Sequence, residues 1–189
     1  LQKPRWGNAT ANDFLPSISE ASGKDVKGAF CTFLDRNGLP LIRVSLNCSD
    51  AKPAVSLEQE RMLPLGSEGD RKAFWSTPVC FKYESGGKTI TDCRMLRDPK
   101  DSMVLNAAGS CPTYLNASAD ASGYYAVQYS DSLSAKLLEH RQSLTLAEQV
   151  DFLNNANLLA RNGRMPAADA LAIAERFSDS DRREILSAS

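Results

Sequence analysis

One histidine, His140, stands in a chain of 189 residues, and that scarcity limits what the sequence can catalyse. A nucleophilic triad needs an imidazole as general base. A zinc peptidase helix of the HExxH kind needs two imidazoles one turn apart, with a glutamate to activate water. His140 lies in LLEHRQ, near the end of an expected helix where the dipole mildly favours a cation, and reads as a surface or structural residue. Neither GxSxG nor a cysteine in an activating context accompanies it. SGGK and GSEGD lack the Walker spacing and a helix following a strand. The carboxylate pairs Glu58/Glu60 and Asp179/Asp181 sit in polar runs and are expected to be solvated rather than tuned for acid–base work. No residue is therefore assigned a catalytic, cofactor-binding or metal-binding role.

The five cysteines, Cys31, Cys48, Cys80, Cys93 and Cys111, form no CxxC pair, so zinc-finger spacing is absent. YESGGKTI reads as a hairpin with a type I′ turn at Gly86 and Gly87. Counting outward from that turn pairs Ser85 with Lys88, Tyr83 with Ile90 and Cys80 with Cys93, the last at a non-hydrogen-bonded site close enough to be bridged. A cross-strand disulfide and two reduced, packed thiols are both compatible with this register. The aromatics Trp6, Trp75, Tyr114, Tyr124 and Tyr125 would suit a sugar- or peptide-binding platform, although aromatics of a β-sandwich belong more often to its core. Sequons at Asn8, Asn47 and Asn116 carry meaning only in a eukaryotic secreted protein.

Charge excludes further classes. Lys plus Arg number 22 and Asp plus Glu 23, and KDVK, EQER, DRK and DSDRRE each mix signs, so neither nucleic acid nor an acidic membrane finds a matching field. Apolar runs such as LPLI and ALAIA fall far short of the roughly 20 residues of a membrane helix. The opening LQKPRWGN has no methionine, basic start or signal core, from which a fragment of a longer protein is expected. The cysteine content favours an extracytoplasmic, oxidising compartment, periplasmic or secreted.

The elements that would position these residues change type twice. Through residue 38 the period is helical: Phe14, Leu15 and Ile18 form one stripe and Val26, Phe30, Phe33 and Leu34 another, broken at Ser22 and Gly23, with Gly38 as a C-terminal stop. From Leu39 the period is two. LPLIRVSLNC, AVSLEQERMLPL, FWSTPVCFKYE, KTITDCRML, SMVLN and GYYAVQY are expected strands of an antiparallel β-sandwich or open barrel of about 90 residues. In the last of these, Tyr125, Val127 and Tyr129 share the better-buried face. Ser130 and Asp131 then cap a helix carrying Leu133, Leu137 and Leu138. Thr145 to Glu148 is a capping box opening a helix with Val150, Phe152, Leu153, Leu159 and Ala160, stopped at Asn162 and Gly163. Pro166 opens the next, with Ala170, Leu171, Ile173, Ala174 and Phe177, and Ser178 to Asp181 cap a last one containing Ile185 and Leu186. Paired helices with short turns fit an antiparallel, α-solenoid-like segment.

GLPLIRV, the glutamine and arginine of LEQERML, Trp75 to Pro78 of FWSTPV, GYYAVQY and NNANLLARNGRMPAADALAIAERF, taken in order, resemble the C-terminal part of the aminopeptidase N family of zinc metallopeptidases. SEASGKDVKGAFCTFLDRNGLP is similar to the last helices of that family's catalytic domain. The resemblance implies three segments. Residues 1–38 would be a helical lead-in ending the catalytic domain, 39–130 a β-sandwich domain, and 131–189 the start of a helical C-terminal domain. It implies that the zinc motif, the loop holding the substrate's amino terminus and the catalytic tyrosine lie upstream, so zinc belongs to the parent's catalytic domain and none maps here. The partners implied are the catalytic and remaining helical domains of the same polypeptide, with peptide as the parent's substrate. The family's arginine after GYY is Ala126 here, and its arginine near the start of the NNANLL helix is not found around Glu148 and Gln149. Gly123, Trp75, Tyr125 and Pro40 are then structural. A free-standing ligand-binding or adhesion sandwich with a helical appendage is the alternative, marked by an exposed aromatic cluster. A scaffold presenting a helical groove is a third.

Overall fold

A computed structural model describes residues 7, 8, 10–49 and 52–189. The chain divides into two compact units, a smaller one ending at Asn37 and a larger one from Gly38 to Ser189. In the smaller unit, α1 (Ala11–Ser22) begins where Thr10 donates through both its backbone N–H and its hydroxyl to Asp13, at 2.9 and 2.7 Å. It stops at Gly23, whose φ of 65° only glycine adopts without strain. The second helix, α2 (Lys27–Asp35), ends before Gly38 and continues as extended backbone at Arg36. Gly38 is therefore not a helix stop. Its φ of 107° leads into the first strand, and the Arg61 side chain lies 3.2 Å from where a Cβ would stand. Of the two apolar stripes, Leu15 is buried while Phe14, Phe30 and Leu34 are exposed.

The larger unit holds two small sheets and four helices among the described residues. Strands β1 (Leu39–Asn47), β2 (Ala54–Met62), β5 (Lys100–Val104) and β7 (Ala126–Tyr129) form one sheet in the order β5-β2-β1-β7. Strands β3 (Thr77–Ser85), β4 (Lys88–Leu96) and β6 (Leu115–Asn116) form the other in the order β4-β3-β6. The short β6 was not legible as a strand. The β3–β4 register matches the count outward from Gly86 and Gly87, with Cys80 opposite Cys93.

Among the described residues, antiparallel pairing has one exception, β7, which runs parallel to β1 from Leu41↔Ala126 to Val44↔Tyr129. Parallel neighbours need a long crossover, and here the whole second sheet lies between them in sequence. Pro40 precedes the β7 register and pairs only with Arg61 of β2, so its missing N–H costs no bond to β7.

One buried cluster takes Ile42, Val44, Val55 and Leu57 from the first sheet and Val79, Phe81, Tyr83 and Leu96 from the second, with Tyr125 and Val127 of the last-strand segment. The opposite face of β7 is buried as well. Ala126 packs with Leu41, Met62 and Leu159, the last from α4 (Leu146–Arg161). The other helices are α3 (Asp131–Glu139), α5 (Ala167–Glu175) and α6 (Arg183–Ala188). A further cluster joins Leu137, Phe152, Leu153, Ile173, Phe177 and Ile185 across all four.

Disulfides join Cys80 to Cys93 and Cys48 to Cys111, leaving Cys31 free. The first settles the alternative the register had left open. The second links residues 63 apart in sequence, and nothing in the spacing announced it. Two disulfides are consistent with an extracytoplasmic location. No helix among the described residues is long and apolar enough to cross a membrane.

Candidate functional site

The densest polar arrangement lies where α4 meets the sheets, around Glu148. The capping box places this residue at the first turn of α4: Glu148 N–H donates to Thr145 Oγ1 at 3.3 Å, and Thr145 N–H returns to Glu148 Oε2 at 2.8 Å. In an isolated helix such a glutamate would face water. Here it is 1% exposed. Oε1 accepts from Asp120 N–H at 2.9 Å, and Lys82 of β3 reaches both oxygens, at 3.2 and 3.0 Å.

Burial pushes the Glu148 carboxyl up, but the N–H groups of Asp120 and Thr145 and the Lys82 ammonium outweigh it and hold it below its ordinary value. Every lone-pair direction is spent on a donor. The group is a buried counter-ion, with no free position from which to take a substrate proton. It also holds backbone strain, because Asp120 and Ala121 adopt φ of 56° and 51°, which side-chain-bearing residues rarely occupy.

Two turns along α4, Asn155 accepts from Val127 N–H at 2.9 Å and donates to the Asp151 carbonyl and carboxylate at 2.9 and 3.0 Å. β7 is the end strand of its sheet, and Asn155 satisfies an N–H on that edge. Burial raises the Asp151 carboxyl above its usual range, against hydrogen bonds from Ser118 and Asn155 that lower it. Asn116 completes the junction by accepting from Tyr129 Oη at 2.9 Å and Ser118 N–H at 3.0 Å and donating to the Ser118 carbonyl at 3.2 Å. That sequon is a buried turn. Asn8 and Asn47 are exposed.

The residues singled out from sequence are not brought together. His140 closes α3, with Nδ1 3.0 Å from the Lys136 carbonyl and its ring stacked 5.6 Å from Tyr114. Arg43 lies between Glu58 and Glu60 at 3.0 and 3.3 Å, and Arg164 pairs with Glu60 at 2.7 Å. Hydrogen bonds first from Lys100 and then from Arg43 hold Glu58 below its ordinary value. Asp179 and Asp181 border a separate cavity. Trp75, Tyr114 and Tyr125 are buried while Tyr124 is exposed, so they form no platform; Trp6 lies outside the described residues. Among the described residues no three His, Cys, Asp or Glu side chains are grouped so as to hold a metal.

No family model matches the chain. Individual proteins do. Puromycin-sensitive aminopeptidase of Caenorhabditis elegans is 22% identical over 96% of the chain and 19% of its own length. Glutamyl aminopeptidase of Bitis rhinoceros is 26% identical over 90% of the chain and 18% of its own length. Probable aminopeptidase 2 of Sulfurisphaera tokodaii is 32% identical over 69% of the chain and 15% of its own length. The chain is a distant homologue of the M1 aminopeptidases. It spans about a fifth of the length of these relatives.

In this M1 homologue, the stretches that carried the resemblance do structural work. Gln59 of LEQERML donates to the carbonyls of Trp75 and Asp98, each at 2.9 Å, and accepts from Trp75 N–H at 3.0 Å. Arg61 lies 6.0 Å over the Trp75 ring. Gly123 of GYYAVQY is required by contact, since a Cβ there would overlap the Tyr125 ring. Gly123 has no positive φ, so the approach of the Tyr125 ring, rather than a left-handed backbone, is what excludes a side chain there. Lys82, Asn155 and the Cys48–Cys111 bridge were not singled out at all. Their partners come from distant segments, and only the helical capping box around Glu148 was local enough to read.

Proposed function

We propose that this chain is the non-catalytic segment of a zinc aminopeptidase, a β-sandwich and the opening of a helical domain that support the catalytic domain and help enclose its active site. Residues 39–130 would be the sandwich and 131–189 the first helices of an α-solenoid-like domain, with 1–38 belonging to the catalytic domain. What supports this reading most directly is collinear similarity over nearly the whole chain to proteins about five times its length that are named as aminopeptidases. The Glu148 junction agrees with it, because it spends its charged groups on fixing helix to sheet. The exposed Phe14, Phe30 and Leu34 fit a lead-in that covers them elsewhere in the parent.

Zinc, in this reading, is held by the parent's upstream domain, where it would supply the water that cleaves the N-terminal peptide bond. The 189 residues alone should neither retain stoichiometric zinc after dialysis nor hydrolyse aminoacyl-arylamides above blank. The parent carrying this segment should hydrolyse them, and a parent lacking residues 39–189 should not. Activity in the isolated chain, or full activity in the truncated parent, overturns the proposal. An adhesion module is disfavoured because Trp75, Tyr114 and Tyr125, three of the aromatics that would mark it, are buried.

A further inference from the structure

We propose that a second copy of this chain docks antiparallel along the free edge of β4, about a two-fold axis through Cys93. Among the described residues β4 ends its sheet, with β3 as its one neighbour, and no turn or loop backbone hydrogen bond reaches its outer side. The other sheet ends are blunted in the ways that protect edges. β5 has five residues and follows Pro99, β6 has two residues, and Asn155 of α4 takes the Val127 N–H of β7. β4 runs nine residues without a proline and without a bulge in its register against β3, and Thr89, Thr91, Cys93 and Arg94 are exposed. Such an edge is a template for strand addition, in which backbone bonds supply affinity and side chains choose the partner.

Parity and charge select the partner and its register. Ser85↔Lys88 flanks the tight turn as a hydrogen-bonded pair, so pair types alternate and Thr89, Thr91, Cys93 and Met95 turn their N–H and C=O groups away from β3. An antiparallel copy must oppose these residues to one another, so the axis passes through one of them. Through Thr89 it runs the copy off the strand at Gly86 and Gly87; through Thr91 it sets Arg94 against Lys88; through Met95 it sets Asp92 against Asp98. Through Cys93 it sets Asp92 against Arg94 on both sides of the axis, Ile90 against Leu96, and Lys88 against Asp98 at the ladder's ends. Asp92 accepts from Tyr83 Oη at 2.6 Å and Arg94 Nε donates to Asp101 at 2.9 Å, which orders both side chains while Arg94 stays 46% exposed. An unrelated extended peptide would use the backbone edge but gives no reason for charges that complement themselves about Cys93. The scaffolding role stands or falls separately, since it needs no second copy.

Sedimentation of the 189-residue chain from micromolar to millimolar concentration, together with amide hydrogen exchange, tests the pairing. The expected result is a concentration-dependent dimer in which the Thr91, Cys93 and Met95 amides gain protection. Asp92→Arg and Arg94→Asp, each alone, should weaken the dimer roughly tenfold or more by setting like charges opposite one another, and an equimolar mixture of the two should restore it as a heterodimer. Thr91→Pro removes an N–H that β3 does not use, so it should abolish pairing while the hairpin stays folded. A chain that stays monomeric, a dimer that leaves those three amides unprotected, a mixture no tighter than its components, or a dimer unaffected by Thr91→Pro overturns the proposal. If the variants do not fold, concentration-dependent protection in the unaltered protein still decides.

Discussion

Glu148 and Asp151 stand one helical turn apart and are shifted in opposite directions, which makes their contributions to stability separable. The folded-state value of Glu148 is depressed, so its stabilisation is fully present above the ordinary 4.5 and is lost as pH falls through the lower folded value. Asp151 is raised from 3.8, so its ionisation costs stability as pH climbs from there through the folded value. Glu148→Gln should cost about 3 to 5 kcal/mol at neutral pH, because it leaves Lys82 without its buried partner, and should flatten the acid limb of a plot of unfolding free energy against pH. Asp151→Asn should leave neutral-pH stability equal or higher, since an amide can still accept from Asn155 without a buried charge. Urea denaturation across pH 3 to 8 measures both; parallel curves for the two variants would contradict the assignment. Gly123→Ala should destabilise more than an ordinary surface glycine, because the rigid Tyr125 ring occupies the space a Cβ needs. Restored melting in Gly123→Ala with Tyr125→Leu would identify that overlap as the cause.

At the scale of elements, the two bridges do different work. Cys80–Cys93 closes a span of 13 residues inside a hairpin already held by its ladder, whereas Cys48–Cys111 closes 63 and ties the end of β1 to the segment before β6. Chain entropy assigns about 3 kcal/mol to the shorter loop and about 4 kcal/mol to the longer. Cys48→Ser with Cys111→Ser should therefore lower the melting temperature more than Cys80→Ser with Cys93→Ser. The reverse order in calorimetry would mean that the hairpin depends on its staple. Alkylation and mass measurement with and without reductant checks that both bridges form.

Across the larger unit, a core shared by the two sheets and a polar junction at Glu148 make sheets and helices interdependent. Trp75 is fully buried and its backbone N–H is taken by Gln59, so Trp75→Ala should cost about 3 to 5 kcal/mol. Because Phe81 and Tyr83 of one sheet pack with Leu57 and Val127 of the other, the loss should appear in a single cooperative unfolding transition of the larger unit. Separate sheet and helix transitions would show that the junction at Glu148 does not couple them.

The sequence by itself determined what local rules determine. The capping box at Thr145, the turn at Gly86 and Gly87, the register that opposes Cys80 to Cys93, and the periods of most strands and helices follow from the chemistry of neighbouring residues. A single histidine likewise removed the common imidazole-based sites from consideration before any fold was known. Only the tertiary structure decided that β7 runs parallel to β1, that Cys48 meets Cys111, that both faces of β7 are covered, and that Lys82 and Asp120 converge on Glu148. Each of these joins segments tens of residues apart. Their pairing energy depends on which surfaces the packed core brings within hydrogen-bonding distance, and no window of neighbouring residues contains that information.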